Sequence, residues 1–148
     1  MLEMLVVVAI VVILVSAAVP SLNSARALYR LATSRDELVG VIESTRTEAI
    51  KRDSESTITI ANTGEYTAQY LSDGATNTMR YRLSPGVNIT LPSGVTTVTV
   101  RCKPSGQITL MGNNGARVTN FTLSNDAGQK GIGITAAGNI YATTAAGS

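Results

Sequence analysis

Apolar and polar positions divide this chain into three regimes. From Met4 to Val15 every side chain is apolar, only Ser16 interrupts the run before Val19, and Glu3 is the one charge among the first twenty-five positions. At a rise of about 1.5 Å per residue, nineteen helical residues span roughly 28 Å, close to the thickness of a bilayer's hydrocarbon core. The run predicts a membrane helix. A cleaved signal peptide fits less well, because no basic residue precedes the run and Ala17-Ala18 leads into Val19-Pro20 rather than a clean cleavage motif.

From residue 21 to 52 the pattern turns one-sided. Leu28, Leu31, Leu38, Ile42 and Ala49 recur at threes, fours and sevens, with most charges elsewhere around the wheel, which predicts an amphipathic helix lying on a globular domain. Arg35 falls on the apolar stripe, and Gly40 costs about 1 kcal/mol relative to alanine. The two regimes join into one helix from about residue 2 to about 52. Pro20 removes a donor and crowds the preceding turn, so a helix kink or local melting is expected near residues 16–20.

After Asp53 the period becomes two. Runs at 57–60, 66–71, 79–83, 87–91 and 95–100 alternate or cluster β-branched and aromatic residues, and further short strands are expected at 107–111, 117–123, 130–135 and 139–143. Turn signals separate the first of them: Asn62-Thr63-Gly64, Ser72-Asp73-Gly74, Ser84-Pro85-Gly86, Pro92-Ser93-Gly94 and Pro104-Ser105-Gly106. The fold class is therefore α+β, a long N-terminal helix packed on an all-β antiparallel head. Its expected parts are 1–24, the membrane or filament-core helix; 25–52, its amphipathic continuation; and 53–148, the head.

Composition narrows the chemistry. The chain of 148 residues has a formal charge of +2, no histidine and one cysteine, so no Ser-His-Asp or Cys-His arrangement and no intramolecular disulfide exists. The acids are scattered over polar faces, which leaves no expected metal site. Cys102 stands between Arg101 and Lys103, but in an alternating strand its neighbours point the other way and it reads as a buried small hydrophobe. The glycine-containing stretches 112–115 and 131–138 lack the Gly-Lys-Ser/Thr of a phosphate loop. No cofactor and no enzymatic activity are expected.

Glu3 stands out physically. A carboxylate beside an apolar span either finds a partner and serves a function, or sits among headgroups and complements the positive end of the helix dipole. Both readings stay open on the residues alone. Met1-Leu2-Glu3-Met4-Leu5-Val6-Val7-Val8-Ala9-Ile10 resembles the start of type IV pilins and type II secretion pseudopilins, whose mature chains begin Phe-Thr-Leu-Ile-Glu-Leu and carry a proline seventeen residues after the glutamate. Glu3 and Pro20 have that spacing, two positions early. The resemblance thus implies two further mature residues and a short basic leader ahead of Met1, together with a methylated N-terminus. The leader would supply inner positive charge; without it Arg26, Arg30 and Arg35 would place the head in the cytoplasm. Ile42-Glu43-Ser44-Thr45-Arg46-Thr47-Glu48-Ala49-Ile50-Lys51-Arg52, running into Thr-Ile-Thr-Ile, resembles the helix end of GspH/FimT-type minor pseudopilins. The arginine-bearing strand with which that group often ends is not matched by Gly138-Asn139-Ile140-Tyr141.

The resemblance implies a structural subunit of a type IV pilus or a secretion pseudopilus, held first in the inner membrane with its head in the periplasm and then packed into a helical filament. Implied partners are other pilin or pseudopilin subunits, the inner membrane and its assembly platform, and the prepilin peptidase on the precursor. Glu3 is the implied assembly residue. The alternative is a minor pilin that binds DNA during natural transformation, for which Arg80, Arg82, Arg101 and Lys103 are the candidate residues. Each pair is spaced by two and projects from one strand face, so the four form one patch if their strands lie near each other. Sequencing the coding region immediately upstream of Met1 should reveal a short basic leader ending in Gly-Phe-Thr; any other reading frame there removes the pilin-type start.

Overall fold

The computed structural model describes residues 2–72, 74–135 and 137–143, without the side chains of Leu2, Leu5, residues 15–21 and Ser72. Helix α1 (Leu2–Lys51) is followed by strands β1 (Ser56–Ala61), β2 (Glu65–Ser72), β3 (Ala75–Arg82), β4 (Asn88–Thr90), β5 (Thr97–Cys102), β6 (Ile108–Gly112), β7 (Arg117–Val118), β8 (Asn120–Asn125), β9 (Gly128–Ile134) and β10 (Ile140–Thr143). This is the expected arrangement, a long N-terminal helix packed on an antiparallel all-β head.

The two halves of α1 live in different surroundings. Glu3, Met4 and residues 6–14 are exposed, Met4 to 75% and Leu14 to 65%, so the first half stands clear of the head. Contact begins at the half-buried Ala27, and the buried positions are Leu31, Ser34, Leu38, Ile42, Thr45 and Ala49, one stripe at spacings of three and four. The expected stripe is corrected at two places. Leu28 is 49% exposed, because it lies where the head is only beginning to cover the helix. Arg35 leans aside to Asp36 at 3.1 Å while Ser34 takes the inward place, its hydroxyl accepting the Ser84 amide at 3.3 Å. Among the described residues no helix is long and apolar enough to cross a membrane. Residues 15–21, which complete the apolar run in the sequence, fall outside the described side chains.

Pro20 does not end the element, since α1 is continuous through it. One missing hydrogen bond within fifty helical residues is absorbed by neighbouring turns, whereas ending a helix requires several consecutive losses. A kink at Pro20 stays a proposal. The C-terminus closes with Asp53 at φ 48°, the Asp53 amide donating to Ile50 and the Ser54 amide to Ala49. That pair of bonds is a Schellman cap, with aspartate in the left-handed position where glycine is commonest.

Two antiparallel sheets receive α1. One has the order β3-β2-β1-β5-β6-β7 and the other β10-β9-β8-β4. The helix packs on β1, β2 and β5 of the first and on β8 and β9 of the second. Ile58, Ile60, Val98 and Val100 point inward from the first sheet, Leu123 and Ile132 from the second, all fully buried. The run expected as one strand at 117–123 is two: β7 pairs with β6 and β8 with β9, in different sheets. Inward-facing Val118 and Phe121 are three apart, so alternation slips where the chain changes sheets. In β9, Gly131 and Gly133 leave room for Thr143 and Tyr141 of β10 to lie across the strand; a Cβ at Gly133 would sit 2.5 Å from the Tyr141 ring.

The stripe makes a quantitative prediction. Leu38→Ala should lower the unfolding free energy by about 3 kcal/mol, because the site is fully enclosed, while Leu28→Ala should change it by less than about 0.5 kcal/mol. Urea denaturation of the two variants beside the parent chain checks the contrast.

Candidate functional site

With α1 covering the inner side of the six-stranded sheet, its outer side is left uncovered. Strand registers fix what stands there. Thr57 pairs with Gln69 and Arg101, Thr59 with Thr67 and Thr99, and the row through Thr59 continues from Arg80 on β3 through Met111 on β6 to Arg117 on β7. Arg82 opposes Glu65 on the same face. The Lys103 amide donates to Gln107 at 2.9 Å, carrying the β5–β6 ladder one step past the strand and placing Lys103 beyond Arg101. Alternation therefore puts Thr57, Thr59, Thr67, Thr76, Thr78, Thr97, Thr99 and Thr109 on one surface. β-branched threonine favours extended backbone and keeps a polar group toward solvent.

Residues 53–148 contain six Lys and Arg, and five of them, Arg80, Arg82, Arg101, Lys103 and Arg117, share this face; Lys130 on β9 is the sixth. Two acids accompany them. Glu55 meets Arg101 at 3.5 Å, an exposed pair of small energetic worth. No ion pair engages Arg80, Arg82, Lys103 or Arg117 among the described residues. Two shallow depressions lie on the face, of about 570 Å³ around Thr59, Thr67, Thr78 and Arg80 and about 460 Å³ around Thr99, Arg101, Lys103 and Thr109.

The candidate DNA-binding residues thus share a face without forming one patch. β3 and β5 are separated by β2 and β1, so Arg80 and Arg82 stand at least roughly 14 Å from Arg101 and Lys103 across the sheet, and register offsets them further along the strands. The sequence reading missed Arg117 and the threonine rows. Thr-x-Thr recurs at 57–59, 76–78 and 97–99 and was the legible signal, but only register shows that the three runs align. Glu3 is exposed on the first turn of α1 and has no ion-pair partner among the described residues.

The inner side carries the remaining reactive groups. Cys102 is fully buried, and burial pushes its thiol up to about 11, against the pull of the Arg46 guanidinium and with a smaller push from Glu55. Arg46 also donates to the Gly138 carbonyl at 3.3 Å, tying the helix to the loop before β10. The Tyr66 hydroxyl is buried with no close hydrogen-bond partner among the described residues; burial first, and then the nearby Glu37 carboxylate, raise its pKa. At the helix end the Arg52 guanidinium bonds Glu48 at 2.8 Å, holds that carboxyl below its ordinary pKa and lies over the Tyr70 ring at 5.4 Å. Among the described residues no group of three or more His, Cys, Asp and Glu stands where it could hold a metal ion. The apolar first half of α1 and the threonine-arginine face are two of the surfaces that face outward.

The family model described as type II transport protein GspH matches residues 34–138. The chain belongs to the GspH family. The match begins inside α1 and covers nearly all of the head, which are the parts packed together here. Among solved structures, the type IV minor pilin FimU of Pseudomonas aeruginosa aligns with a TM-score of 0.54 at 15% identity, over 77% of this chain and 88% of that one. At that identity the likeness shows a shared fold. No curated protein sequence matches the chain. Family and fold are those of structural pilin-type proteins.

Cys102 gives a pH prediction with a definite sign. The unfolded thiol releases its proton near pH 9.0 and the folded one near 11, so between these values the unfolded chain binds fewer protons and stability falls as pH rises. Urea midpoints should decline across that window, and the decline should be shallower in Cys102→Ala.

Proposed function

We propose that this chain is inserted in the bacterial inner membrane by the first half of α1, with its head in the periplasm, and is then drawn into a helical filament of a type IV pilus or type II secretion pseudopilus. The observation that carries this reading is the bare apolar half-helix. Val6, Val7, Val8, Ile10, Val11, Val12, Ile13 and Leu14 are each more than half exposed, and no part of the head is positioned to cover them. An uncovered apolar surface of this extent calls for a bilayer or sister helices as its environment. The chain's own head cannot supply either. A minor pilin that contacts DNA would use the same anchor and differ only in what its outer sheet face meets.

Glu3 acquires its role in that setting. Within a bundle of apolar helices an unpaired carboxylate costs several kcal/mol, so Glu3 needs a cation, and the terminal amine of an adjacent subunit is the group at the same depth. Glu3→Val should leave a folded, membrane-inserted subunit that enters filaments poorly. Fractionation of membranes and sheared filaments from cells carrying the variant measures both properties. Normal filament incorporation of Glu3→Val would leave Glu3 as a headgroup-level residue and remove the pairing role.

A further inference from the structure

We infer that the outer face of the six-stranded sheet binds an acidic polysaccharide, with Arg80, Arg82, Lys103 and Arg117 taking its carboxylates and the threonine rows its hydroxyls. Charge selects an anion first. The face holds five cations against Glu55 and Glu65, and the pairing of Glu55 with Arg101 leaves four cations without an ion-pair partner among the described residues. Arginine offers a planar fork that matches a carboxylate with two parallel hydrogen bonds.

Spacing and lining then decide which polyanion fits. The row from Arg80 through Thr67, Thr59, Thr99 and Met111 to Arg117 crosses six strands, roughly 24 Å at ordinary spacing, with cations at its two ends. Lys103 and Arg101 lie to one side of that row. Positive charge is thus sparse and the ground between is hydroxyl, which suits a hydroxyl-rich chain with occasional carboxylates. Duplex DNA presents one charge per about 1.7 Å of axis and is held by a dense run of cations. Single-stranded nucleic acid asks for aromatic stacking platforms. Tyr66 and Tyr81 border the first depression, but their rings stack on each other with centroids 5.2 Å apart on the side that alternation assigns to the helix.

Each threonine hydroxyl both donates and accepts and has few χ1 states, so a row of them meets sugar hydroxyls with little ordering cost. The two depressions lie on either side of the β1–β5 junction, where Thr59 opposes Thr99 directly, so a linear chain crossing that junction would meet both. Their openness to solvent suits an extended polymer better than a small molecule.

The test uses the full chain in detergent micelles, with immobilised polygalacturonate as the probe and dextran and duplex DNA as comparisons. Binding to polygalacturonate at low ionic strength, lost at high salt, with none to dextran and weaker binding to DNA, is the expected result. Arg80→Ala with Arg117→Ala should weaken it by about tenfold or more, while Lys130→Ala, on the other sheet, should not. Thr59→Val with Thr99→Val, which keeps shape and strand preference, should weaken polygalacturonate binding several-fold and leave circular dichroism and the urea midpoint near those of the parent. DNA bound as tightly as polygalacturonate, no polygalacturonate binding at low salt, or equal losses in Lys130→Ala would each overturn the proposal. Unchanged binding in the threonine pair would remove the hydroxyl rows from it.

Discussion

The stripe Leu31, Ser34, Leu38, Ile42, Thr45 and Ala49 is the constraint from which the remaining structure follows. Among the described residues it is the buried face of α1, it is narrow, and it brings the helix against strands of both sheets. A helix isolated in water gains little from propensity alone, and its stability comes from packing one face. The second half of α1 obtains that packing from the head. The first half has no such packing among its described side chains. One continuous helix therefore joins a packed segment to an uncovered apolar one, and fixing the stripe in the sheets fixes the direction in which the apolar half leaves.

Polar groups in this interface do the orienting. Ser34 takes the Ser84 amide, Arg46 reaches the Gly138 carbonyl, and the Asn125 amide donates to the Ala27 carbonyl at 2.6 Å. These contacts sit at three heights along the helix, two on the loops holding Ser84 and Gly138 and one at the end of β8. Each is worth about 1 kcal/mol net, but leaving one buried partner unmatched costs more, so they penalise any slide or rotation of the helix that apolar packing would tolerate. A serine in the stripe, poor for burial, is good for registration. The close approach around Gly106, where a Cβ would lie 3.3 Å from Ile50 and 3.5 Å from Arg46, shows how tightly the β5–β6 turn is set against the same helix.

Much of this was legible because local chemistry and tertiary structure agree. The apolar run, the switch from a period near 3.6 to a period of two, and the five turn glycines, all at φ near +80°, each announce an element independently of its partners. What escaped depends on relations between distant residues. Leu28 reads as stripe from periodicity, yet how far the head extends along the helix is a property of the sheets. The break of 117–123 into two strands hides inside an unbroken β-forming run, betrayed only by the three-residue interval from Val118 to Phe121. Asp53 as helix terminator was obscured because the commonest signal there is glycine. For the candidate site, each strand could be assigned its faces, but bringing Arg117 into line with Arg80 takes five pairings in sequence, and no single run contains that information.

The placement of the cations on the outer face has a second physical cause, which accounts for part of it. β3 and β7 are the edges of the six-stranded sheet, and charged side chains on an edge discourage pairing with a further strand. Arg80, Arg82 and Arg117 stand on those edges. β3 is the edge most in need of such protection, since it runs for eight residues and is exposed along nearly all of them. Edge protection says nothing about Arg101, on an interior strand paired on both sides, or about Lys103, one residue past the end of that strand. Nor does it account for filling the ground between with threonine rather than with the lysine and glutamate that ordinarily solubilise a sheet face. A surface needed only for solubility would intersperse the two charge signs. This one holds five positive charges and two negative on a field of hydroxyls, and it lies on the side of the sheet opposite α1. The helix and this face therefore lie on opposite sides of the sheet, so a contact made through one does not cover the other.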